Sequence, residues 1–154
     1  MTQAQITPIH KLAPPYRLQA IVACSDLGIQ KLLVQVLREL GLQPLLSESL
    51  EEIRRFLSEE ETVVVFSQLT VGDHGFQEVL RAADDPRWKV PVVVCSEIYD
   101  ENLYVDVMSV GAFDYLALPS AWDEVEWVVH NALHWGPLLR GTRVPRFSHK
   151  PAVN

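Results

Sequence analysis

Two cysteines in 154 residues, Cys24 and Cys95, are too few for a disulfide framework, and a reducing compartment suits them. Long apolar runs are missing as well. Stretches such as 90–95 stop far short of the ~20 residues that cross a bilayer. No basic segment followed by an apolar one opens the chain, so a secretory leader is not expected and a cytoplasmic location is. Acid is absent from both ends: all 20 acidic residues lie between Asp26 and Glu126. Residues 18–135 set those 20 acids against 7 bases, a net of −13. The lead carries Lys11 and Arg17, and the end carries Arg140, Arg143, Arg146 and Lys150. Nucleic-acid binding rests on cationic contacts to phosphate, so a body of this charge excludes it as the main activity.

What is present is one domain's worth of apolar residues, 48% of the chain against 21% charged. The lead 1–17, with Pro8, Pro14 and Pro15, reads as an extended arm, and 136–154 as a basic tail. Between them, 18–135 alternates short apolar runs with helical periodicities. Runs at 18–24, 62–67, 91–96 and 113–117 predict strands, and Leu42–Leu46 a weaker one placed at an edge by Pro44. Helices are predicted over 27–40, from the Ser49/Glu52 capping box to about Ser58, and over 76–83, 101–110 and 121–135. Residues 68–75 read as a loop. Apolar runs without alternation imply strands covered on both faces, hence a doubly wound α/β domain with a five-stranded parallel sheet.

Ligands in such sheets gather at the carboxyl ends of the strands. The residues there are Cys24, Ser25 and Asp26, then Ser67, then Ser96 and Glu97, and finally Leu118 with Pro119. In this setting three segments stand out: Ser67-Gln-Leu-Thr-Val-Gly-Asp-His-Gly75, Pro91-Val-Val-Val-Cys-Ser96, and Gly111-Ala-Phe-Asp-Tyr-Leu-Ala-Leu-Pro119. In this order and spacing they resemble the receiver domain of bacterial two-component response regulators, over roughly 18–135.

The resemblance implies a flavodoxin-like strand order of 2-1-3-4-5 and a cis bond before Pro119. It also exposes departures. The phosphoacceptor aspartate of the family falls on Ser67, its magnesium-holding acidic pair on Cys24 and Ser25, and its lysine on Leu118; the hydroxyl survives as Ser96 and the switch aromatic as Tyr115. Magnesium needs carboxylate oxygens, the nucleophile is a carboxylate, and the lysine neutralises the transferred group. Only Asp26 remains acidic beside the old pair. The expectation is a stand-alone pseudo-receiver, not an enzyme, with no cofactor or metal and no output domain after 135. It would signal through a protein partner, without nucleic acid or membrane.

Alternatives stay open residue by residue. Ser67 reads as a small filler or a phosphorylated serine, Cys24 as a buried apolar group or a redox thiol, and Glu97 as a charge that repels phosphodonors or simply a solvated acid. A small-molecule-binding flavodoxin-like module is a further alternative, although no glycine-rich phosphate loop supports it. His130 and His134, one helical turn apart, lack a third metal-binding partner. On the last helix, Trp122, Val125, Val129, Ala132 and Leu133 are predicted to face the sheet. Trp127, Asn131, His134 and Asp123 fall on the opposite side, as a homodimer or partner interface or as a seat for the chain's own tail.

Overall fold

The computed structural model describes residues 18–118 and 122–135. The arm 1–17, the tail 136–154 and the Leu118–Pro119 bond lie outside the described residues. The chain runs β1 (Gln19–Ala23), α1 (Leu27–Glu39), β2 (Gln43–Leu46), α2 (Leu50–Glu59), β3 (Thr62–Gln68), β4 (Thr70–Val71), β5 (His74–Gly75), α3 (Phe76–Ala83), β6 (Val92–Ser96), α4 (Glu101–Ser109), β7 (Asp114–Ala117) and α5 (Trp122–Leu133). Five strands form one parallel sheet in the order β2-β1-β3-β6-β7. With the small pair β4–β5 set aside, this is the expected order 2-1-3-4-5.

Successive residues of a strand point to opposite faces, and here both faces are covered. Ala20, Val22, Val64, Phe66, Val93 and Leu116 pack under α1 and α5. Ile21, Ala23, Val65, Val92, Val94 and Tyr115 pack under α2, α3 and α4. The strands are therefore apolar at nearly every position, which is why alternation is absent from the sequence.

Local signals set the boundaries. Asp26 caps α1 by accepting from the Ile29 amide at 3.0 Å, and Gly41, at φ +85°, lets the chain leave that helix in the left-handed conformation. Ser49 caps α2 through the Glu52 amide, while the Glu52 carboxylate accepts from Glu48 N, one residue before the cap. In β2 the Gln43 amide donates to Leu18 O, and the Ser47 amide just beyond the strand donates to Val22 O, both in β1's direction. Alternate amides point the other way, so Pro44 falls where a missing N–H leaves no bare donor on the sheet edge.

Two expectations need correction. The stretch 68–75 is not all loop: β4 and β5 pair antiparallel across Gly72 and Asp73, with Gly72 at φ +60°. Two-residue strands are too short to show a period. On α5 the buried residues are Val125, Val128, Val129 and Ala132, while Leu133 is 37% exposed. The helix lies beside α1 as well as over the sheet, which turns its buried arc towards Val128 and away from Leu133.

Candidate functional site

The strand order reverses between β1 and β3, and the crevice beyond their carboxyl ends is where this architecture collects ligands. A cavity of about 260 Å³ lies at these strand ends, lined by Ser25, Gln68, Thr70, Ser96, Glu97 and Ile98 among others. Its lining holds one carboxylate, no cation, and otherwise neutral donors and acceptors. Of the predicted pocket residues, the structure brings Ser25, Ser96 and Glu97 to this cavity. Cys24, Ser67 and Leu118 do not line it.

Those three are buried in the sheet. Ser67 has no exposed surface, and its Oγ donates to the carbonyl of Gln68 at 2.8 Å. A serine nucleophile needs an adjacent base and an open approach, and the hydroxyl proton here is already given to a backbone oxygen. Solvent does not reach this position. Leu118, where the family has its lysine, is fully buried in the core beneath α1 and α5. Its backbone amide donates to Ser96 O at 2.6 Å. Cys24 and Cys95 belong to the same core and are free thiols on strands separated by β3. Burial, and then a hydrogen bond that the Cys95 thiol makes with Cys24, push the Cys95 thiol well above its ordinary value, so its thiolate, which redox or metal chemistry requires, is disfavoured.

Gln68 is the residue sequence reasoning missed. It follows Ser67, and its Oε1 accepts from the Asp26 amide at 2.9 Å, tying the end of β3 to the start of α1. Gln30 Nε2 adds a second tie by donating to Cys24 O at 3.0 Å. Amide side chains of this kind carry no chemical motif, so only the spatial juxtaposition reveals them.

Acidity at the rim also differs from expectation, which left one carboxylate near the pocket. Asp26 and Glu97 meet there through a side-chain hydrogen bond. That bond, with the negative charge of Asp26, raises Glu97 above its ordinary value, while the same bond and the Ile29 amide hold Asp26 below its own.

Tyr115 lies inward. Its hydroxyl donates to Ile98 O at 2.7 Å, and its ring stands about 6 Å from those of Tyr99 and Tyr104, which in turn face each other. The Ser96 hydroxyl accepts from the Ile98 amide at 3.4 Å. The aromatic is thus held between two tyrosine rings, by one backbone bond and by a side-chain hydrogen bond with Ser96.

Asp123, Trp127, Asn131 and His134 form one stripe along α5. Trp127 is 40% exposed, Asn131 Nδ2 donates to Trp127 O, and the His134 ring lies 4.4 Å from that of His130. Among the described residues no group of three or more His, Cys, Asp or Glu side chains is placed to hold a metal ion, and no helix is long and apolar enough to cross a membrane.

No protein-family profile and no curated protein matches this chain. Solved structures do. The chain is similar to a response regulator from Thermotoga maritima (19% identity, TM-score 0.66, covering 77% of this chain and 98% of that one). It is similar to the N-terminal signal receiver domain of a two-component response regulator from Bacteroides fragilis (19%, TM-score 0.66, covering 76% and 97%). The beryllofluoride-activated receiver domain dimer of NtrC4 is a third (17%, TM-score 0.67, covering 75% and 96%). The fold is that of receiver domains.

Proposed function

We propose that this chain is a cytoplasmic signalling module that keeps the receiver scaffold, works by protein–protein contact and does not undergo aspartyl phosphorylation. The observation that carries the reading is Ser67. It occupies the phosphoacceptor position implied by the sequence resemblance, yet it is wholly buried and its hydroxyl is engaged by the next residue's carbonyl. Leu118, buried at the lysine position, supports the same reading, because among the described residues no cation lines the strand-end cavity to balance a transferred phosphoryl group. A phosphorylated serine at 67 draws no support from this geometry, since a kinase would need access to a hydroxyl with no exposed surface. Contact with a partner would fall on α5, where Trp127 is exposed beside Asp123; a structural neighbour, the NtrC4 receiver domain, is itself a dimer.

The test is beryllofluoride with magnesium, followed by fluorine NMR of the full chain. No protein-bound fluorine signal is expected. A stoichiometric adduct would overturn the reading.

A further inference from the structure

The stripe on α5 has a complementary surface on the same molecule. α1 and α5 lie side by side on one face of the sheet, their inward residues Leu33, Val36 and Leu37 sharing a core with Val125, Val128 and Val129. Their outward residues therefore belong to one layer, and the charge on that layer is divided. α5 contributes Asp123, Glu124 and Glu126 and neither lysine nor arginine. α1 contributes Lys31 and Arg38, two turns apart and both exposed.

Among the seven cations of the described residues, these two and Arg54 make no ion pair. Arg55, Arg81, Arg87 and Lys89 are all ion-paired to carboxylates close by in the chain. Among the described residues no carboxylate lies within ion-pair distance of Lys31 or Arg38. They flank a groove of about 500 Å³ between α1 and β2, where Val34 and the half-exposed Leu46 are the apolar lining and Gln30, Gln35 and the carboxylate Glu39 complete it. The groove thus presents two positive charges and one negative, Glu39, around a small apolar patch of Val34 and Leu46. The α5 stripe presents negative charges around an exposed tryptophan.

We propose that two copies of the chain pair through this layer, α5 of each lying against the α1–β2 groove of the other, with Trp127 on Val34 and Leu46 and the acids Asp123 and Glu126 facing Lys31 and Arg38. The inference rests on α5 being an interface and adds the surface that receives it. A twofold axis between α1 and α5 makes both contacts at once and closes the pair, so growth stops at two copies. The chain's own ends cannot fill the groove on charge grounds, because 1–17 and 136–154 carry bases and no acids. The basic tail could instead cover the α5 acids, and the experiment separates that outcome.

Sedimentation of the full chain at high micromolar concentration is expected to give twice the monomer mass. Charge reversal on one side, K31E/R38E, places acid against acid at both contacts and yields a monomer. Reversal on the other side, D123K/E126K, places base against base and does the same. Mixed in equal amounts, the two monomeric variants restore both contacts and recover the doubled mass, which loss of folding could not produce. A monomeric native chain, or a tail that covers α5 and leaves mass unchanged in every variant, overturns the pairing. A dimer lost in W127A but kept in K31E/R38E overturns the groove while leaving α5 as the interface. Fluorine NMR of the beryllofluoride reaction is blind to either result, so this pairing and the unphosphorylated reading fail separately.

Discussion

Position 67 has been closed over. In the sequence, Ser67 reads as a small filler or a phosphorylated serine at the end of a strand. In the structure Ser67 has no exposed surface. Ser67→Asp therefore forces a carboxylate, or a protonated carboxyl without a planned partner, into the sheet. The expected cost is about 2–4 kcal/mol, read as a lowered denaturation midpoint at unchanged slope, with no recovery in magnesium. A variant as stable as the native protein would mean that the strand ends open more readily than this packing allows. Glu97 gives the second residue-scale prediction. Its carboxyl is raised in the folded protein, so the protonated form contributes stability that is complete below the ordinary 4.5 and lost as pH rises through the raised value. Asp26, held below its ordinary 3.8, has the opposite sign and keeps its contribution at neutral pH. At neutral pH Glu97 is ionised against Asp26, and Glu97→Gln removes that repulsion while keeping a donor for it. The variant should melt higher than the native protein at neutral pH and equally well once Glu97 is protonated. A lower melting point at neutral pH would show that the charge itself is wanted.

Elements were legible wherever a period or a cap spanned several residues. The capping box at Ser49, the glycine after α1 and the proline at the edge of β2 each place a boundary by a local mechanism that packing does not override. The hairpin β4–β5 was not legible, because two residues per strand contain no alternation to read. The phase of α5 was half legible. Apolar residues occupy more than half of its circumference, and a helix wheel alone does not say where α1 will sit beside it. The structure chooses Val128 over Leu133. Val128→Ala should cost about 2 kcal/mol, two methyl groups of transfer plus part of a cavity, whereas Leu133→Ala should stay within about 0.5 kcal/mol. Chemical denaturation of the two variants side by side checks the assignment, and equal costs would return the helix to the phase read from its sequence.

For the whole molecule, a parallel sheet buried on both sides makes the fold readable from uninterrupted apolar runs, but the same burial hides what became of the site. A change from acid to cysteine or serine, and from lysine to leucine, at the strand ends tells which charges are gone; it does not tell that Cys24, Ser67 and Leu118 are drawn into the core while Ser25, Gln68, Ser96 and Glu97 are left around a cavity. Magnesium tests this arrangement. The ion asks for octahedral oxygen ligands and is usually held by one or two carboxylates that are free to face it. Here the rim offers Asp26, whose Oδ1 already accepts from the Ile29 amide, and Glu97, whose carboxyl lies against that of Asp26. Binding to the folded state alone would add about 2.7 kcal/mol at a hundredfold excess over Kd. For a domain of this size that corresponds to several degrees of melting temperature, at about 2–4 °C or more per kcal/mol. The expectation is a melting temperature in millimolar magnesium within about one degree of that in chelator, since no such site is assembled. A gain of several degrees would place the ion between Asp26 and Glu97. Glu97→Gln would then have to abolish the gain, and the old pocket would still be a metal site, displaced by one residue towards α1.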